Sequence, residues 1–185
     1  DWCCVEDGDF LCNVVFVFAD VYDNKHCILE DSAEDCVFIH CPCVEITKTK
    51  LGDFNYSAPG HTIEWEISVY NCGNIPLGFL DVVDYLTEDH IYIYNLGVGE
   101  WYNFTVSYDV PEDFCACKCD YVTNVVNVTV DVYNNTHCYL YDEAVNAVFI
   151  HCPSMEVAKT ALDEYSAAGH VTTWLLQVWN TGNIP

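Results

Sequence analysis

From His61 to Tyr70 the chain alternates. Ile63, Trp65, Ile67 and Val69 fall on one face, and Glu64, Glu66 and Ser68 on the other. A period of two sustained over ten residues predicts a half-buried β-strand. Asn71-Cys-Gly-Asn-Ile-Pro76 follows as a turn, with Gly73 free to adopt positive φ and Pro76 unable to donate to a ladder. Further strands are predicted at 77–85, 90–95 and 101–110; in the last, Tyr102, Phe104, Val106 and Tyr108 share a face. In 122–133 the inward residues are Val126, Val128, Val130 and Val132. Short strands at 138–141 and 147–152, with 44–49 at the start, bring the total to seven or eight, separated by turn signals. That count and spacing predict an immunoglobulin-like sandwich.

The pattern occurs more than once. Residues 36–49 read CVFIHCPCVEITKT and residues 147–160 read AVFIHCPSMEVAKT, an offset of 111. Asn13-Val-Val matches Asn124-Val-Val, and His26-Cys27 matches His137-Cys138. Further on, Trp65 matches Trp174, and Asn71-Cys-Gly-Asn-Ile-Pro76 matches Asn180-Thr-Gly-Asn-Ile-Pro185, with the offset now 109. A two-residue deletion therefore lies between Leu162 and Gly169, in a loop. The fold class expected is all-β: immunoglobulin-like β-sandwich repeats, one complete and two partial. Residues 1–42 form the C-terminal part of one repeat, 43–152 a complete repeat, and 153–185 the N-terminal part of the next. The frame starts and stops inside a repeat, so the ends expose sheet edges that invite strand pairing with a neighbour.

Charge narrows the partners. Asp and Glu number 29 against 5 Lys and Arg, a net charge of −24. Such a surface repels phosphate backbones and anionic membranes, which excludes nucleic acid and argues against membrane docking. The longest strongly apolar run, Val14 to Ala19, is far too short to cross a bilayer. It is apolar on both faces because Phe16 and Phe18 stand where the other copy has Asn127 and Thr129; a strand covered by a neighbouring subunit reads this way, which makes Phe16 and Phe18 interface candidates, and so does a strand buried on both sides within one domain.

Thirteen cysteines without metal-ligand spacing point to disulfides in an oxidising, extracellular place. Cys27 and Cys41 recur together as Cys138 and Cys152, which predicts one bond within each repeat. Cys12 and Cys36 are replaced together, by Thr123 and Ala147, and a hairpin turning near Asn24 sets 12 opposite 36. Cys3, Cys4, Cys43, Cys72, Cys115, Cys117 and Cys119 remain. Seven is odd, so at least one is free or bonded to another chain, and all seven are candidates for cross-links between subunits. Each bond stabilises by about 2–4 kcal/mol.

Other chemistry is sparse. Adjacent residues on a strand face opposite ways, so the His-Cys dipeptides are poor clamps for one ion. Asp81 with Asp84, or Asp31 with Glu34 and Asp35, are oxygen donors that suit Ca²⁺, although a solvated acidic face explains them better. Sequons fall at Asn55, Asn103, Asn127 and Asn134, with Asn103 and Asn127 on the outward phase of their strands. No nucleophile, base and orienting acid assemble from motif spacing, so an enzyme is not expected.

Several of these pieces also follow a known order: Val44-Glu-Ile-Thr-Lys-Thr49, Ala58-Pro-Gly60, Ile63-Glu-Trp-Glu-Ile67, the Asn71 turn, Asp81-Val-Val-Asp84 and Asn124-Val-Val-Asn-Val-Thr129. Together they resemble the immunoglobulin-like envelope repeat known as domain of unknown function number eleven. The second copy keeps its Asn-Thr-Gly-Asn turn at 180–183, while the first has Cys72 for Thr. The resemblance implies a bacterial or archaeal surface protein, an adhesin or a cell sheath. With the acidity and the cysteines it is similar to an archaeal, methanogen sheath or surface filament. The function expected is a structural subunit of an extracellular filament, tube, sheath or surface layer. It assembles with copies of itself by strand pairing and disulfides; the alternative is an adhesin or stalk binding module.

Overall fold

The computed structural model describes residues 10–20, 28–117, 119–132 and 139–185. Twelve strands run along these segments: β1 Phe10–Asp20, β2 Ile28–Phe38, β3 Val44–Lys50, β4 Tyr56–Ser57, β5 Thr62–Asn71, β6 Leu77–Asp84, β7 Asp89–Leu96, β8 Trp101–Asp109, β9 Tyr121–Asp131, β10 Tyr139–Ile150, β11 Met155–Ala161 and β12 Trp174–Asn180. One 3₁₀ turn, Phe114–Cys117, precedes β9. Among the described residues no helix is long and apolar enough to cross a membrane.

Residues 44–150 form an immunoglobulin-like β-sandwich. One sheet has the order β4-β10-β9-β6-β7 and the other β3-β5-β8. All neighbours are antiparallel except the two-residue β4, which runs parallel to the end of β10. The alternation in β5 produces the layer: Ile63, Trp65, Ile67 and Val69 are all buried against Leu80, Val82, Val126, Val128 and Val130 of the facing sheet. Each such side chain stabilises the fold by about 1.5–3 kcal/mol relative to an exposed position.

One expectation is corrected. The two short strands predicted at 138–141 and 147–152 are one continuous twelve-residue strand, paired from Tyr139↔Asp131 to Phe149↔Tyr121. Its polar middle breaks the apolar pattern, yet those polar residues serve the sandwich. The Asp142 carboxylate accepts the backbone N–H of Ile46 at 2.7 Å, on the outer edge of β3. Asn146 Oδ1 accepts the indole N–H of Trp65 at 3.0 Å. An edge amide and a buried indole are both satisfied from the opposite sheet.

The flanking hairpins repeat pieces of this sandwich. β1 pairs with β2 so that Cys12 faces Cys36, and Thr123 faces Ala147 in the β9–β10 pair at the same relative register. β11 pairs with β12 with Val157 opposite Val178, as Ile46 stands opposite Val69. Phe16 and Phe18 are exposed, as are Val15 and Val17 on the other face of β1, so both faces of the β1–β2 hairpin present apolar side chains.

Trp65→Ala is expected to cost about 3–5 kcal/mol, because a fully buried indole is replaced by a cavity and Asn146 loses its donor. A denaturant titration read by far-UV circular dichroism measures the loss.

Candidate functional site

Three of the buried polar residues of the sandwich form a cluster. β3 carries Lys48, β6 ends at Asp84, and β9 carries Asn124, all on inward positions and all buried. The Lys48 ammonium is bonded to Asp84 Oδ2. The same oxygen accepts Asn124 Nδ2 at 3.1 Å. Asp84 Oδ1 is taken by the backbone N–H groups of Leu86 and Thr87, both at 3.1 Å. The carboxylate thus ends β6, shapes the turn after it, and holds the lysine. The Trp65 ring lies 5.3 Å from the Lys48 nitrogen, adding a cation–π contact. Burial pushes the Lys48 amine below the ordinary lysine range, while its hydrogen bond and charge contact with Asp84 pull it back up. Asn124 Oδ1 is buried and without a partner. An unsatisfied buried acceptor costs about 1–3 kcal/mol, so packing alone does not account for asparagine there.

This arrangement takes Asp84 out of the Ca²⁺ candidates. Asp84 is committed to the lysine and the turn, and Asp81 lies 3.8 Å from His90 on the outer face. Asp31 and Asp35 each accept the N–H of the residue that follows them, and Glu34 sits on the opposite phase of β2. The grouping of Cys12, Glu34 and Cys36 is fully exposed, and its two sulfurs are bonded to each other.

A second polar constellation sits where one repeat meets the next. The Asn71 side chain closes its turn, accepting Gly73 N–H at 3.0 Å and donating to Ile75 O at 2.9 Å. Asn74 then reaches back across the preceding linker. Its Oδ1 accepts Cys41 N–H at 2.7 Å and its Nδ2 donates to Ile39 O at 2.8 Å. The second junction is built the same way: Asn183 accepts Cys152 N–H at 2.7 Å and donates to Ile150 O at 2.8 Å. Gly73 and Gly182 are needed for proximity. A Cβ on Gly73 would lie 2.6 Å from Cys41 O, and one on Gly182 would lie 2.6 Å from Cys152 O. The positive φ expected of Gly73 is absent; its role is close approach of two backbones.

The cysteines follow this geometry. Cys12–Cys36, Cys43–Cys72, Cys115–Cys152 and Cys117–Cys119 are bonded. Cys43, Cys72, Cys115, Cys117 and Cys119, taken above as links between subunits, are therefore closed within the chain. Cys43–Cys72 staples the linker to the turn. In the second copy Ser154 and Thr181 stand there, and Thr181 Oγ1 donates to Ser154 Oγ at 2.9 Å. That joint replacement is the signal in the sequence for the pair. The expected partner of Cys152 was Cys138, but the 3₁₀ turn brings Cys115 to it instead. Among the described residues Cys41 alone is an unpaired thiol. Cys3, Cys4, Cys27 and Cys138 lie outside the described residues.

Of the sequons, Asn55 and Asn103 are exposed. Asn127 is corrected: it is buried, because the Tyr85 ring folds over the sheet and its hydroxyl takes Asn127 Nδ2 at 2.6 Å. A glycan has no access there. Asn134 lies outside the described residues.

The fold and its interior polar cluster define an immunoglobulin-like module whose polar chemistry is turned inward. No family model matches the chain, and no curated protein matches it. Solved structures do. The crystal structure of the CARDB domain of the PF1109 protein from Pyrococcus furiosus, in complex with di-metal ions, is 19% identical over 59% of this chain and 88% of that one, with a TM-score of 0.43. The solution structure of the same domain is 21% identical over 59% of this chain and 94% of that one, with a TM-score of 0.40.

Two outcomes follow from these contacts. Lys48→Met strands the Asp84 carboxylate in the core and is expected to cost about 3–5 kcal/mol; adding Asp84→Asn recovers part of it, as paired denaturation curves would show. By the repeat offset, Cys4 is the counterpart of Cys115 as Cys41 is of Cys152. Non-reducing peptide mapping is therefore expected to recover Cys4 joined to Cys41; a peptide joining Cys27 to Cys41 refutes the assignment.

Proposed function

We propose that the chain is a structural subunit of an extracellular filament, tube, sheath or surface layer, built from repeats of the envelope kind its residues resemble and divided at 42/43 and 152/153. The observation that carries this reading is the clasp at 39–43 and its copy at 150–154. The same asparagine and glycine lock each repeat's exit strand to a turn of the next, the one after β5 in the first case and after β12 in the second. A linker held by side-chain bonds, backbone contact and a disulfide has little freedom to bend, which suits a load-bearing rod.

Lateral assembly has two routes. The outer edge of the five-stranded sheet is β7, where Tyr92 and Tyr94 are exposed, and open edges add strands. Eight of the thirteen cysteines are bonded to one another among the described residues, and because thirteen is odd at least one cysteine of the chain is free or bonded to another chain. A net charge of −24 opposes close packing, so assembly is expected to strengthen with added cations.

Electrophoresis without reductant is the direct test. A ladder of multimers that collapses with reductant, together with filaments or sheets in electron micrographs, is the expected result. A single monomer band and dispersed particles would overturn the reading in favour of an adhesin or stalk module.

A further inference from the structure

We propose that Lys48 and Asn124 form a covalent isopeptide bond across the sandwich, with Asp84 carrying the proton. Three observations place the reaction here. The nucleophile and the leaving group both contact one oxygen, since Asp84 Oδ2 accepts the Lys48 nitrogen and Asn124 Nδ2 together. The cluster is sealed from water: Lys48, Asp84 and Asn124 are buried, with Trp65 and the valines of β9 around them. The carboxamide oxygen of Asn124 has no partner, so the side chain is not there to complete a hydrogen-bond network. Burial also favours the neutral lysine amine, the form that attacks carbonyl carbon.

The step balances without any added reagent. In the buried pair the lysine proton moves to Asp84, leaving an amine beside a carboxylic acid. The amine nitrogen Nζ attacks Cγ of Asn124, and a Nζ–Cγ bond forms. Asp84 gives its proton to Nδ2 and takes one from Nζ, acting as general acid and then base through the single oxygen that faces both. The Cγ–Nδ2 bond breaks and ammonia leaves. Nothing is oxidised or reduced. Asp84 ends as it began after the transfer, a neutral acid, and the product amide joins β3 of one sheet to β9 of the other. The fixed Oδ1, held by Leu86 and Thr87, keeps Oδ2 aimed at the pair.

The repeat supports the assignment. Only five Lys and Arg residues occur in the whole chain, and two occupy this position, Lys48 and Lys159. Lys159 keeps its tryptophan, with the Trp174 ring 4.4 Å away. Asn13 matches Asn124 in the preceding copy. Lys48, one of these scarce cations, is buried inside the sandwich, where it serves something other than surface charge.

Intact mass of the full chain, measured after complete reduction and alkylation, tests the bond. The expected mass is lower than the sequence mass by one ammonia, and peptide mapping recovers a branched peptide joining the segments around Lys48 and Asn124. Asn124→Asp is expected to lose one water and give the same branched product, while Asp84→Asn stays at full mass. Wild-type protein at its full sequence mass overturns the proposal. Loss of one water from the wild type also overturns it, since Asp84 would then be the acyl partner. Because the wild-type mass alone decides, a variant that fails to fold does not rescue the idea.

Discussion

The buried contact between Lys48 and Asp84 is the constraint on which the rest of the sandwich depends. It ties the first strand of the three-stranded sheet to the end of a central strand in the other sheet. A lone charge at either place would be prohibitive in the interior, so each residue requires the other. The remaining polar atoms around the pair are then placed by it. Asn124 donates to the same carboxylate, and the turn after β6 wraps its other oxygen. Trp65 packs its ring near the ammonium while Asn146 satisfies its indole from β10. One ion pair thereby fixes how strands from both sheets face each other.

The junction between repeats solves a different problem with similar means. Two stretches of backbone must approach within van der Waals contact, and only glycine leaves room. The asparagines on either side of the glycine then satisfy the amides and carbonyls that this approach would otherwise strand. Such a turn joins one repeat to the next through hydrogen bonds and close backbone contact.

Much of the fold was legible because its signal is local. Period-two alternation located β5, β8 and β9, and the internal repeat framed the sandwich. The continuous β10 was hidden because Asp142 and Asn146 look like loop residues until their partners, far away in sequence, are known. The lysine, the aspartate and the asparagine were each visible as pieces of a resemblance, but their convergence is a property of the folded chain. Asp84 therefore read as a possible cation ligand, and Asn127 as an open glycan site, until the groups covering them were in view. The demand for glycine at 73 is not local either: a turn suggests positive φ, whereas the demand comes from a linker some thirty residues earlier in the chain.

The two copies of the junction separate what sets its geometry from what reinforces it. The glycine and both asparagines are present in each, with hydrogen bonds of nearly the same lengths. The reinforcement differs: a disulfide joins Cys43 to Cys72, and a hydroxyl pair joins Ser154 to Thr181. A cross-link exchanged for a hydrogen bond without moving the backbone contacts is not what creates the clasp. The same reasoning applies to Cys12 and Cys36, whose counterparts Thr123 and Ala147 keep the register without a bond. The disulfides lock positions that the polar residues have already chosen, and their number varies with how much reinforcement each repeat carries.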